Sequence, residues 1–192
     1  MSQVIISFPP GAGGNHLKNL LSLDKNNIDK IYSESRTVHS QPGSNFKIAQ
    51  AYDEAGNIKE CVLHGHFGEV MSHRDEIKTW PNPKFILISP DTYADRQLLH
   101  ARWKKLGPAY QNFKLGNYYD GEQVFLYEPF IFRDCFATHM DNIMNISISE
   151  WFIEDISAVL DKISKFLQID LNINECQRLH KLWCNKNLDI PQ

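Results

Sequence analysis

The sequence predicts a three-layer α/β domain with a parallel sheet of about four or five strands between helices. Three recurrences carry that expectation. Val4, Ile5, Ile6 and Phe8 form a β-branched and aromatic run, followed by a glycine cluster and then by Leu17, Leu20 and Leu21 at helical spacing. Phe85 to Ile88 make a second apolar run, which stops at Pro90 and precedes Leu99, Trp103 and Leu106. Ile146 and Ile148 alternate with Asn145, Ser147 and Ser149, ahead of Ile156, Val159, Leu160, Ile163, Phe166 and Leu167. Strands that alternate with helices pair in parallel, because each crossover returns the chain to the same end of the sheet.

In chain order, the first strand and helix are joined by the loop around Gly11 to Gly14. Asp24 to Asn57 is polar and weakly periodic, and reads as an excursion with a short strand around Phe46 to Tyr52. Cys61, Val62 and Leu63 open a strand that leads into His64, Gly65 and His66. Asp91 or Thr92 can cap the helix that ends at Gly107. Pro108 to Asn142 carries no clean period and reads as loops and short helices over the sheet. Asn174 can cap a last helix in which Cys176, Leu179 and Trp183 repeat at three and four, ending near Asn185.

The 192 residues, 42% of them hydrophobic, suit one domain over 1–192 with a sizeable core. The formal net charge of −3 supplies no bulk basic field, so no nucleic-acid partner is expected. Cys61, Cys135, Cys176 and Cys184 form no CxxC pair and read as reduced, mostly buried thiols. Met1 to Phe8 is too short for a signal peptide, and no run approaches the roughly 20 apolar residues of a membrane helix. A soluble, cytoplasmic protein with no membrane partner is the expectation.

At a strand-to-helix junction, the backbone N–H groups of a glycine-rich turn and the positive end of the helix dipole converge. Gly11, Ala12, Gly13 and Gly14, with Asn15 and His16 at the helix start, therefore read as a cradle for phosphate or sulfate. A tight turn without a ligand is the plainer alternative. The Walker A pattern needs Gly-Lys followed by Ser or Thr, whereas Asn15 and His16 follow Gly14 here. The dinucleotide pattern GxGxxG places its third glycine where His16 stands.

"SFPPGAGGNHLKNLL" resembles the phosphosulfate-binding loop of the sulfotransferases. "VLHGHFGEV" is similar to that family's strand ending in Thr-His-Leu-Pro, with His66 in the place of the catalytic histidine. "NPKFILISPDTYADRQLLHARW" resembles the strand and helix around its Arg-Asp-Pro. "NISISEWFIEDISAVLDKISKFLQI" resembles its terminal Tyr-Glu-Asp-Leu stretch, with Glu154, Asp155, Ile156, Phe166 and Leu167 matching by type. The resemblance implies a P-loop nucleoside triphosphate hydrolase-like fold of the sulfotransferase kind. It also implies transfer of a sulfuryl group from 3′-phosphoadenosine 5′-phosphosulfate to a small-molecule or glycan hydroxyl, with no metal.

Two departures qualify the implied chemistry. The loop lysine of the family falls on Pro10 or Gly11, leaving Lys18 or His16 as substitutes; the arginine that holds the 3′-phosphate falls on Ile88, with Ser89 in the place of the following Asp, or on Pro90, leaving Ser89 and Arg96 as candidates. The implied roles are His66 as base, Lys18 at the leaving group, and Gly11 to His16 with Ser89 and Arg96 around the nucleotide.

Two other classes stand beside this one. Without the lysine and arginine, the loop could serve a non-catalytic protein that binds an anion or nucleotide. His64 and His66, two apart on a strand, face the same way and could begin a metal site with Glu69 or His73. Tyr110, Phe113, Tyr118 and Tyr119, beside Lys114, read as an acceptor pocket or as cover for the sheet. Arg102, Lys104 and Lys105 read as a solvated helix end.

Overall fold

The computed structural model describes residues 3–21, 46–106 and 129–188. The strands are β1 (Val4–Phe8), β2 (Val62–His66), β3 (Lys84–Ser89) and β4 (Ile143–Ser147). The helices are α1 (Gly14–Leu21), α2 (Phe67–Met71), α3 (Arg74–Ile77), α4 (Tyr93–Leu106), α5 (residues 129–135), α6 (Ile148–Phe152), α7 (Ile156–Leu167) and α8 (Ile173–Asn187). The four strands form one all-parallel sheet in the order β2-β1-β3-β4.

Side-chain alternation divides the core between the two sheet faces. On one face Val4, Ile6 and Phe8 of β1 join Ile86, Ile88, Met144 and Ile146. Leu17, Leu20 and Leu21 of α1, Leu160 and Ile163 of α7, and Cys176 and Leu179 of α8 cover them. On the other face Ile5, Leu63, Phe85 and Leu87 meet Phe67 and Val70 of α2, Ile77 of α3, and Phe132 and Phe136. Each such side chain contributes about 1.5–3 kcal/mol by leaving water, which fixes the strand register because a slip of one residue would exchange the two faces.

Two strands turn directly into helices through the same device. At the β4–α6 junction the Ser147 hydroxyl accepts from Glu150 N at 3.1 Å, and the Glu150 carboxylate accepts from Ser147 N at 2.7 Å. At the β2–α2 junction Glu69 Oε2 accepts from His66 N at 2.9 Å. In both, the glutamate sits three residues after the last strand residue, where it satisfies a donor that the helix cannot.

Several expectations change in detail. The excursion's expected strand is a 3-10 turn, Ile48–Ala51, followed by an isolated antiparallel bridge between Tyr52 and Ile58. Ile148 opens α6 instead of continuing β4, because the capping pair at Ser147 starts a helix there. Thr92 rather than Asp91 caps α4: its hydroxyl accepts from Asp95 N, and Asp95 Oδ2 accepts from Thr92 N. Asn172, not Asn174, caps α8, accepting from Glu175 N, and the helix runs to Asn187. Arg102 is buried, 4% exposed, because its guanidinium donates to the Asn187 carbonyl and lies over the Trp183 ring. Tyr110, Phe113, Lys114, Tyr118 and Tyr119, and the side chains of Lys104 and Lys105, lie outside the described residues.

Candidate functional site

From β1 the chain crosses to β2 on one side, and from β2 it returns across β1 to β3 on the other. In open α/β sheets the crevice outside the carboxyl ends of the strands, where the order reverses, is the place that ligands occupy. The carboxyl end of β1 is Phe8, and the glycine loop leaves from it.

The loop bends through Gly11 and Gly13, at φ 81° and 80°, a conformation that glycine adopts without steric cost. Ala12 N donates to Pro9 O at 3.2 Å, so that amide closes the loop's own turn. Leu17 N, donating to Gly13 O at 3.0 Å, is the first bond along α1. Gly13 to His16 thus occupy the entrance of α1, where a helix has N–H groups it cannot use itself and where its dipole is positive.

Tryptophans enclose the loop. Trp103 Nε1 of α4 donates to Pro10 O at 2.6 Å. A Cβ added at Gly13 would meet Trp151 Nε1 of α6 and Trp183 Cη2 of α8 at 3.0 Å each, which shows how closely the two indoles approach the backbone. Trp151 is fully buried, and its Nε1 has no hydrogen-bond partner. The Asn15 Oδ1 atom is likewise buried without a partner.

Beneath the loop lies a chain of neutral polar groups. His16 Nε2 stands 3.2 Å from His180 Nδ1, and His180 Nε2 stands 3.2 Å from Cys184 Sγ. Burial holds His16 well below its ordinary value, with the nearby His180 adding to the effect. Burial likewise lowers His180 to about 4, opposed by the Trp151 backbone, and raises the Cys184 thiol to about 12, opposed by Arg102. The His16 ring also stacks on Trp183, with centroids 4.7 Å apart and planes 5° apart.

On the other side of Phe8 lie the histidines of β2. Phe8 pairs with His66 in register, and its ring meets the His66 ring edge-on at 5.4 Å and lies parallel to the His64 ring at 6.3 Å. His66 is half-buried; burial holds its imidazole below the ordinary value, while Glu69, whose Oε2 lies 4.0 Å from Nδ1, acts in the opposite direction. Burial lowers His64 to about 4, with Lys18 and His66 adding to it. Burial raises the Cys61 thiol, opposed by Lys18 and Lys59.

The structure therefore brings together Gly11, Ala12, Gly13, Gly14, Asn15, His16 and, through Phe8, His66. Ser89 ends β3 beside the start of the loop, but its hydroxyl is engaged elsewhere. Ser89 is fully buried, with Oγ 2.5 Å from Asp91 Oδ1 and 2.8 Å from Asn145 Oδ1. Arg96 is exposed on α4. Asp155 caps α7, accepting from Ser157 N. His73 packs against Phe46, and among the described residues no group of three His, Cys, Asp or Glu side chains is placed to hold a metal ion.

Sequence reasoning missed Trp151, His180, Cys184 and the buried Arg102. A signal for two of them was present: Cys176, His180 and Cys184 recur every fourth residue along the stripe that Leu179 and Trp183 also share, so the histidine lies on the apolar face of α8. No family model, curated protein or solved structure matches this chain.

Proposed function

We propose that the protein binds a sulfated or phosphorylated nucleotide on the glycine loop and transfers a sulfuryl group from 3′-phosphoadenosine 5′-phosphosulfate to a hydroxyl acceptor. The observation that carries this reading is the junction at Phe8: a loop bent by Gly11 and Gly13 opens into α1 beside a histidine that ends the neighbouring strand. The four segments that resemble sulfotransferases also fall at the carboxyl ends of all four parallel strands.

The donor would supply the sulfuryl group, and the chain's residues hold it and move a proton. Amides at the start of α1 accept negative charge from the phosphosulfate end. His66, kept below its ordinary value, is neutral near pH 7 and can take the acceptor's hydroxyl proton. In the transfer the acceptor O–H bond breaks toward His66, an S–O bond forms to the acceptor, and the S–O bond to phosphate breaks with its electrons leaving on the nucleotide. Pro10 or Gly11 stands where the family's loop lysine would be and His16 is neutral, so amides, the helix dipole and Lys18 are left to stabilise the leaving group.

The lack of the family's loop lysine in this sequence favours a second reading, a non-catalytic binder of the same ligand. Titration with 3′-phosphoadenosine 5′-phosphate, and separately with ATP and magnesium, tests the common part; radiolabelled sulfuryl transfer to a panel of hydroxyl acceptors separates the two. Binding of the first nucleotide with turnover lost in His66→Ala supports the transferase. Binding without turnover supports the binder, and binding of neither nucleotide overturns both.

A further inference from the structure

Trp151 is fully buried, yet its one polar atom has no partner. An indole N–H taken out of water without an acceptor carries a desolvation cost, and buried tryptophans ordinarily find a partner for it. The indole is held in place by the His180 ring at 4.5 Å between centroids and by the His16 ring at 5.9 Å. Its nitrogen edge abuts Gly13, the residue just before α1. A second donor thus stands beside the first N–H groups of the helix, and neither observation depends on the other.

We propose that Trp151 Nε1 is a binding group of the loop site, donating to an oxygen of the sulfuryl or phosphoryl group held at the entrance of α1. This inference rests on the reading of the loop as an oxyanion site. The donor set is then made of neutral N–H groups: the first-turn amides and an indole. Such a set recognises the shared chemistry of sulfate and phosphate, oxygens that only accept, without an added cation. It also gives a role to the buried histidines, which orient the indole, and His16 and His180 stay uncharged while doing so.

The test uses the full chain with 15N-labelled tryptophan and glycine, titrated with sodium sulfate and separately with inorganic phosphate, against sodium chloride at equal ionic strength. Trp151→Phe assigns the indole resonance by its disappearance. The expected result is a saturable shift of the Trp151 indole and of the Gly13 and Gly14 amides with one common dissociation constant, and about tenfold weaker binding by Trp151→Phe. Saturable glycine shifts with a stationary indole overturn the role of Trp151 and leave the loop reading standing. No saturable shift at either place with both anions overturns the two together. Should Trp151→Phe fail to fold, as judged by its thermal melt, the wild-type indole resonance decides; His16→Asn, which alters the indole's support, then serves as the second variant, with weaker binding expected and unchanged binding counting against the proposal.

Discussion

His16 and His180 meet nitrogen to nitrogen at 3.2 Å across 164 residues of sequence, and together they join α1 to α8 directly under the glycine loop. Two imidazoles at that distance in a buried place share one proton along the contact, so a further proton would add a charge that burial penalises.

Stability is therefore expected to depend on acid. His180 is held at about 4 against an ordinary value of 6.5, and His16 well below 6.5. A depressed histidine means that, between its folded and unfolded values, the unfolded chain binds protons that the folded chain does not. The stabilising contribution is fully present above about pH 6.5 and declines as the pH falls toward 4, by about 3 kcal/mol for His180 at the low-pH limit. Urea midpoints should fall between pH 7.5 and pH 5, and His180→Gln should flatten that slope; parallel profiles for the two proteins would contradict the assignment.

Gly13→Ala should be more costly than Gly56→Ala. Both glycines have positive φ, 80° and 81°, which costs alanine about 1–2 kcal/mol. Only at Gly13 would the new methyl also press on Trp151 and Trp183, whereas Gly56 faces open space. Paired thermal melts measure the difference, and equal losses would show that the tryptophans yield.

Ser147→Ala and Glu69→Ala each remove half of a strand-to-helix cap. A loss of about 1 kcal/mol is expected for each. The losses should add in the double variant, because no hydrogen bond connects the two junctions in the described residues. Glu69→Ala should in addition lower the pH at which His66 titrates, since the carboxylate raises it; histidine proton resonances followed against pH report this.

Asp95 is the buried carboxylate that ties α4 to α6. It accepts from Thr92 N at 2.7 Å through one oxygen and from Ser149 N at 2.7 Å through the other. Asp95→Ala strands both donors and should cost about 2–4 kcal/mol, measured by urea unfolding. A loss as small as that of an exposed cap would show that water replaces the carboxylate.

The sheet was legible because its two inner strands, β1 and β3, are buried on both faces and so appear as unbroken apolar runs, Val4 to Ile6 and Phe85 to Ile88. Ile148 misled because an isoleucine two places after another continues a strand alternation equally well, and only the Ser147–Glu150 pair marks the helix start. The glycine loop was legible as a junction, but what surrounds it was not. Trp103, Trp151 and Trp183 come from three helices far apart in sequence, and nothing local in "SEWFIED" indicates which way the indole faces. Arg102 was misread for a similar reason: its partner, Asn187, lies 85 residues away.

β1 is the centre of the sheet, yet both of its neighbours come later in the chain: Val4 meets Val62 on one side and Lys84 on the other. Pairings this distant are slow to form, since the loops between them must close before any ladder bond compensates the lost entropy. During synthesis the first strand emerges long before its partners exist. The glycine loop hangs from the end of that strand and takes the Trp103, Trp151 and Trp183 contacts from still later helices. A nascent chain halted before β3 thus has neither a finished sheet nor a formed loop, and the loop gains its full set of indole contacts only once α8 has been made.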